Sequence, residues 1–597
     1  MRLYAGVVRF FVVVAILNVA MLFAVGALAR GSRGPLMTEN TLRLATSAVQ
    51  VRSLDPAMMG DTASTSICDQ IYEGLVSYDQ TTLEVVPCLA ESWEVSPDGL
   101  QYTFHLRKGV SFIDDPCFPG GKGRELTAED VRCNFTRICD PIAMSLGSWL
   151  VEDRVEGAAE YVERRQQLLD EHPDFWRLDE TELEAGRVPG FEVVDEHTFR
   201  VHLTRPFAPF IKVLAMAYFR VAAPEAIRAY GPIGNPPGSD TFFRHPVGTG
   251  PFILRRWEPD VEIILERNPN YWGRDRASGR VPHVDGVHIV SRRDPHTAFM
   301  EFEEGRSDCT GVPDQDWDRV MNADKTLREP YASRCVLQST PALTISYYGF
   351  DMQNPPFGTN KKLRQALNYA VDREAIIREI NRGVGRPAYG PIPPGLTGYD
   401  PDERRYAYNP ERAKELLAEA GHPGGQGLDD IVLYVSGTGE APDREAVAVM
   451  DQLAKVGVQI RLKLQPWPLH MESLDRHEAR FFTLGWIADY PDAENFLALF
   501  LSRNFSPEGP NSTFYSNPEF DRLYDAAMAE LDPERRAELY RRAAAIIVDD
   551  CPWLFTTYAE TIELDQPWVK GFPINPLGLL FYKNVRLDRS GADGGRR

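Results

Sequence analysis

Phe481-Phe482-Thr483-Leu484-Gly485-Trp486-Ile487 is an almost unbroken apolar run, followed at once by Ala488-Asp489-Tyr490-Pro491-Asp492. Such a run reads as a strand buried on both faces of a sheet. Upstream come a strand at 431–435, a helix at 444–455, a strand at 458–464 and a short helix near 469–474. Strands alternating with helices predict an α/β lobe with a mostly parallel sheet. In an open sheet of this kind the ligand crevice lies outside the carboxyl ends of the strands. The spacing therefore sets the carboxylate of Asp489, with Trp486 and Tyr490, at the expected crevice. A carboxylate there suits an ammonium group, because a charge-assisted bond contributes on the order of 1.5–3 kcal/mol net. The aromatic faces add apolar area and a weak cation–π attraction. The same spacing equally fits an Asp489 that caps the following helix or pairs with an arginine.

Outward from this stretch, residues 360–383 hold two helices, the second capped by Asp372 and closed by Gly383. Asn409-Pro410 opens another helix with N-cap and first-turn proline in their preferred places, and Gly421 ends it. The first half is richer in hairpins. Ser96-Pro97-Asp98-Gly99 separates strands at 93–95 and 102–106. Further strand pairs fall at 193–203 and at 252–257 with 261–266, and a helix capped by Thr127 runs over 127–135. Residues 150–190 are highly charged and predict a helical insertion or peripheral subdomain. The charged stretch 291–294, after an apolar strand at 287–290, is the expected crossing between lobes. The chain shows neither an internal repeat nor a low-complexity tract.

Composition sets the outer limits. The 597 residues carry a net charge of −21 and are 43% hydrophobic and 25% charged, values of an ordinary globular protein with ample core. An excess of 86 Asp and Glu over 65 Lys and Arg argues against a nucleic-acid partner, which needs a basic face. Arg2 and Arg9 precede an apolar run from Phe10 to Ala29 that ends in Ala27-Leu28-Ala29. The small-x-small ending fits a cleaved signal peptide, and the run is also just long enough to anchor in a bilayer. Either way residues beyond 29 work outside the cytoplasmic membrane. Eight cysteines permit disulfides on that oxidising side; the expected pairs are Cys117 with Cys133 or Cys139, and Cys309 with Cys335, against a background of buried free thiols.

Several segments resemble the extracellular solute-binding proteins of the peptide/nickel class, family 5, the receptors of ABC importers. The carriers are Ile71-Tyr72-Glu73-Gly74-Leu75-Val76, Leu89-Ala90-Glu91-Ser92-Trp93 and Tyr102-Thr103-Phe104-His105-Leu106-Arg107-Lys108-Gly109-Val110. The most specific are Pro246-Val247-Gly248-Thr249-Gly250-Pro251-Phe252 and Arg267-Asn268-Pro269-Asn270-Tyr271-Trp272. Arg364-Gln365-Ala366-Leu367-Asn368-Tyr369-Ala370-Val371-Asp372-Arg373 and the segment 485–492 complete an ordered set that runs from about 41 to 583. The resemblance implies an α/β, two-lobed periplasmic-binding-protein-like fold (large type II, cluster C) with a hinge and an inter-lobe ligand cleft. It implies a signal or anchor at 1–29, lobe I at 41–292 with a peripheral subdomain at about 77–210, lobe II at 293–555, a return to lobe I at 556–587 and a disordered tail at 588–597.

By the same resemblance, Asp489 matches the aspartate that takes the peptide α-amino group, Trp486 and Tyr490 match its neighbours, and Tyr347 and Tyr348 in the strand 343–350 are added as ligand-binding candidates. Adjacent strand residues point to opposite faces, so core packing is an equal expectation for one tyrosine of the pair. The chain departs from peptide-clamping members in two places. The loop Ser436-Gly437-Thr438-Gly439-Glu440 has no arginine for a ligand carboxylate, and Thr483 stands where some oligopeptide receptors carry one. A longer peptide, or an amine with no fixed carboxylate, is as compatible as a dipeptide. The function implied is a non-enzymatic receptor that captures oligopeptides or dipeptides by hinge closure and passes them to ABC permease subunits. It is expected to act as a monomer, without cofactor, metal or nucleic acid. A nickel chelate, an oligosaccharide or an opine is the alternative cargo; an exported hydrolase or a membrane-anchored sensor is the alternative class. Rival motifs fail on their own terms. Pro442 replaces the third glycine of a dinucleotide loop, Gly248-Thr249-Gly250 lacks the P-loop Gly-Lys-Ser/Thr, and neither Gly-x-Ser-x-Gly nor His-Glu-x-x-His occurs. His470 and His477 read as solvated surface, and Asp492 and Glu494 as acidic residues at a helix N-terminus.

Overall fold

The computed structural model describes residues 37–46, 51–172, 187–231, 241–273, 281–428, 430–437 and 443–589. The apolar run at 10–29, part of the insertion at 150–190, most of the loop at 436–440 and the end of the tail lie outside them. The chain folds as two lobes joined through one large sheet. In spatial order its path runs Ile460–Gln465, Ile431–Ser436, Phe481–Ile487, Val336–Phe350, Trp553–Asp565, Cys309–Thr310, Thr41–Thr46, Gly286–Ser291, Glu262–Arg267 and Phe252–Glu258. The two long central strands belong to both lobes. Residues 336–341 pair with 560–565 in the first lobe, and residues 345–349 pair with 553–558 in the second. Between them the register slips at Pro341. Proline has no N–H for the ladder, so a strand interior tolerates it only at such an irregularity. Just past it, Leu343 donates to Pro576 O at 2.8 Å in the first lobe, and its carbonyl accepts from Ala488 N at 2.9 Å in the second.

Three expectations are corrected here. The stretch 291–294 is not the crossing: Asp294 caps the helix Pro295–Glu303, and Cys309 then pairs with Leu44 inside the first lobe. The chain crosses at 341–345, within the long strand Val336–Phe350. The sheet is mixed rather than mostly parallel. Ile431–Ser436 is parallel to both Ile460–Gln465 and Phe481–Ile487, but the strand that enters this lobe and the one that leaves it must run in opposite senses. Finally, Phe481–Ile487 is buried on both faces only at Phe481 and Phe482; its far end emerges, and Ile487 is 62% exposed.

The motifs that carry the family resemblance hold the scaffold together. Glu73 is buried and accepts from Thr249 Oγ1 (2.9 Å), Tyr271 Oη (2.7 Å) and Trp272 Nε1 (2.6 Å), so three separated segments converge on one carboxylate. Burial pushes its pKa up, and these donors oppose the shift. Gly250 donates to Ile71 O, and a Cβ at Gly248 would lie 2.3 Å from that same oxygen. In the second lobe Arg373 Nε donates to Phe555 O (2.8 Å) and Asn368 Nδ2 to Trp553 O (2.9 Å), which clamps the second long strand to the helices. The hairpin expected around Ser96–Gly99 is present in a four-stranded antiparallel sheet (Ala90–Val95, Gln101–Leu106, Thr198–His202, Phe191–Asp195). Phe135, on the helix capped by Thr127, packs edge-on to Phe191 and Phe199 of that sheet.

All eight cysteines are free, so neither expected disulfide pairing forms. Cys309 sits in the main core beside Asp565, whereas Cys335 packs against a separate small cluster with Phe299 and Tyr331. Cys139 spends its thiol on Thr136 O. His470 is buried rather than solvated, bonded through Nε2 to Thr483 O at 3.0 Å, and burial lowers its pKa.

Trp553, at the root of the second long strand, is 1% exposed and stacks on Tyr347 with centroids 3.5 Å apart and planes 9° apart. Trp553→Ala is expected to cost about 3–5 kcal/mol of unfolding free energy, read as an earlier urea midpoint. Trp553→Phe keeps a stacked ring and is expected to lose less than half of that.

Candidate functional site

Beyond Ile487 the chain turns through Ala488–Asp492 into a short helix, Glu494–Leu497. Asn495, 4% exposed, organises this turn. Its Oδ1 accepts from Asp489 N (3.0 Å) and Trp486 Nε1 (2.9 Å), and its Nδ2 donates to Asp489 Oδ2 (2.9 Å). One amide thus fixes the carboxylate and the indole of two expected site residues. Among the described residues no lysine, arginine or histidine forms an ion pair with Asp489. Its side chain is reached by solvent but sits in a recess walled by protein. The lost hydration raises its pKa above the usual carboxylate range, and the Asn495 bond offsets part of the shift.

The neighbouring acids are treated differently. Asp492, 1% exposed, receives Lys212 Nζ (3.0 Å) from the first lobe and Tyr540 Oη (2.7 Å). Burial alone would raise its pKa; Lys212, Tyr540 and the Glu494 amide outweigh burial and hold it low. Lys212 Nζ also donates to Pro491 O at 2.8 Å, and Ala208 N to Met528 O at 2.9 Å, so the lobes are tied along this edge. Glu494 is buried between the hydroxyls of Tyr490 and Tyr524, which both donate to it, and burial raises its pKa.

Asp489 therefore lines a cavity of about 820 Å³ whose walls come from both lobes. Trp486, Tyr490, Asn495 and Tyr524 contribute on one side, and Trp149, Arg154, Arg205 and Phe207 on the other. This volume falls in the usual range for small-ligand clefts. Trp149 is 44% exposed, an uncovered indole facing the recess. Arg154 rides 4.8 Å over the Phe207 ring and donates to Trp149 O.

Of the five ligand-binding candidates, the structure brings Asp489, Trp486 and Tyr490 together at the cavity. Tyr490 shows it only an edge, since it is 1% exposed with its hydroxyl turned inward to Glu494. Tyr347 and Tyr348 are a correction: neither lines the cavity. They project from opposite faces of their strand, Tyr347 into the core against Trp553 and Tyr348 into the second lobe's core, 5.8 Å from Phe481. Asn495, Trp149, Arg154, Arg205 and Phe207 were missed. Asn495 lies six residues from the carboxylate that it orients, and the others stand some 280 to 340 positions upstream, in or beside the charged stretch 150–190 and the hairpin at 193–203, with no local signal that they face Asp489.

Residues 84–507 match the family model of bacterial extracellular solute-binding proteins, family 5 Middle. Heme-binding protein A of Haemophilus influenzae is 32% identical over 521 residues, 87% of this chain and 87% of that protein. The dipeptide-binding protein of Escherichia coli is 31% identical over 520 residues, 87% of this chain and 89% of that protein. Among solved structures, the periplasmic binding protein DppA from Helicobacter pylori in complex with the peptide STSA superposes with a TM-score of 0.70 at 26% identity, covering 92% of this chain and 98% of that one.

Lys212→Met leaves the buried Asp492 without its cation and is expected to cost about 3 kcal/mol. Because the Asp492 pKa is depressed on folding, its contribution is full above the unfolded value of about 3.9 and is lost as pH falls through the folded one. The deficit, measured by urea denaturation, should be largest at neutral pH and shrink on acidification.

Proposed function

This chain belongs to the bacterial extracellular solute-binding proteins of family 5, and on that footing we propose that it is the peptide receptor of an ABC importer. It works outside the cytoplasm, with residues 1–29 serving as a cleaved signal or a membrane tether. The relatives named above are a dipeptide-binding protein and a heme-binding protein, and a structural neighbour holds a tetrapeptide. What favours a peptide is the Asp489 carboxylate, oriented by Asn495 at an inter-lobe cavity and paired with no cation.

The peptide's α-ammonium group takes the place of that missing cation. Trp486 and Trp149, from facing lobes, present aromatic surface to the first side chains. Arg154 and Arg205, on the wall opposite Asp489, supply the positive charge for a ligand carboxylate that the loop after residue 435 and Thr483 lack. A ligand that touches both walls binds the closed arrangement better than the open one, so binding shifts the population toward closure about the two long strands. Closure presents the loaded form to the permease. No step of this cycle uses catalysis, and the family consists of transport receptors.

Asp489→Asn is expected to weaken peptide affinity at least about tenfold in calorimetric titration with a mixed di- to pentapeptide pool. Unchanged affinity removes Asp489 from the site. The ammonium binds the ionised carboxylate, whose pKa is raised because the surrounding protein walls take some of its hydration. Wild-type affinity should therefore fall as pH drops through that raised value, and the fall should be absent from Asp489→Asn. Heme run through the same titration separates the two relatives' cargoes; binding of heme alone overturns the peptide reading.

A further inference from the structure

Away from the cleft, where the second long strand re-enters the first lobe, Cys309 and Asp565 are direct partners across an antiparallel ladder. Glu563 lies two residues earlier on the same strand and so on the same face. The thiol sulfur and one oxygen of each carboxylate lie within 4.8 Å of one another. Cys309 is 6% and Asp565 5% exposed. Glu563 Oε1 and Asp565 Oδ1 are buried and meet no amide, hydroxyl or cation; the two carboxyls and the thiol interact with one another. Among the described residues none of the three groups forms an ion pair, although Lys570 lies near enough for its charge to reach Asp565. Three acidic groups massed in the interior repel one another, and each unsatisfied oxygen carries a desolvation cost. Two things relieve this: a proton held between the carboxyls, or a cation.

We propose that Cys309, Glu563 and Asp565 form a binding site for a thiophilic divalent cation of the zinc class. The donor set, one thiolate and two carboxylates, suits a borderline ion rather than calcium or magnesium, which take oxygen ligands alone. A tetrahedral zinc sphere holds such donors about 3.4–3.6 Å apart, so closing from 4.8 Å asks only for small side-chain adjustments. Asp565 is already oriented from behind: Gln338 Nε2 donates to its other oxygen and to Phe572 O, while Ile574 N donates to Gln338 Oε1. That is the outer support a ligating carboxylate needs. The fourth position has room, because Cys309 and Glu563 open onto a cavity of about 300 Å³ that also exposes Ser66, Thr310 and Tyr582. The same cavity is the entry path. A bound ion joins two strands of the first lobe across the point where the chain returns to it, so its role is structural and is independent of the peptide reading.

The test uses the full chain, stripped with a chelator and titrated with Zn²⁺ against a chromophoric competitor. One equivalent should bind with a Kd of about 1 µM or tighter. Glu563→Gln keeps the shape of a protonated carboxyl and should fold, yet weaken Zn²⁺ at least tenfold; Cys309→Ser should do the same. Cd²⁺ in place of Zn²⁺ should give a sulfur-to-metal ultraviolet band that Cys309→Ser lacks. Failure of the wild type to take up Zn²⁺ means a shared proton and overturns the proposal. Uptake that Glu563→Gln leaves unchanged places the ion elsewhere and overturns it too.

Discussion

Two antiparallel strands that pass through both lobes are the constraint on which the rest of this molecule depends. Residues 336–350 carry the chain into the second lobe and 553–565 bring it back, and their pairing slips where Pro341 has no N–H to give. On either side of the slip the strands are pinned. The first lobe holds them through Gln338 and Pro576, and the second through Asn368, Arg373 and the stack of Tyr347 on Trp553. Between those anchors the two long strands leave their mutual register, and Leu343 bonds to Pro576 on one side and to Ala488 on the other. The segment 341–345 is thus the place where the chain passes from one lobe's packing to the other's. Because Leu343 O accepts from Ala488 N, the turn that carries Asp489 is attached to this same segment.

The acids around the turn show how similar residues are given different tasks by their surroundings. Asp492 is buried, paired with Lys212 from the opposite lobe, and ionised. Glu494 is buried without a cation, held by two tyrosine hydroxyls. Asp489 also lines the cavity, held by the single amide of Asn495. A carboxylate held in place by one amide, with no cation paired to it among the described residues, keeps an uncompensated charge beside the cavity. The raised pKa of Asp489 expresses the same fact. On the proposed reading, an ammonium group seated there supplies the opposite charge.

The sequence motifs that single out the family turn out to be architectural. Segments 71–76, 246–252 and 267–272 meet at Glu73, whose carboxylate accepts from Thr249, Tyr271 and Trp272. Segment 364–373 grips the returning strand. Only segment 485–492 borders the cavity. Arg154 and Arg205 stand on the facing wall.

From the sequence alone, local periodicity and turn chemistry determined most strands, helices and several caps, among them Asp372, Asn409 and Thr127. The position of Asp489 beyond a strand end was legible for the same reason: strand polarity and the crevice rule are short-range. Three things were decided only in three dimensions. The lobe crossing moved from 291–294 to 341–345, because strand order depends on which edges remain open rather than on local charge. Tyr347 and Tyr348 went into the core, because their faces were set by Trp553 and Phe481, some 130 to 200 residues downstream. The cavity's far wall at Trp149, Arg154 and Arg205, and the meeting of Cys309 with Asp565, join residues hundreds of positions apart. No local pattern encodes such contacts, since they are fixed by the packing of whole lobes and not by the conformation of any single segment.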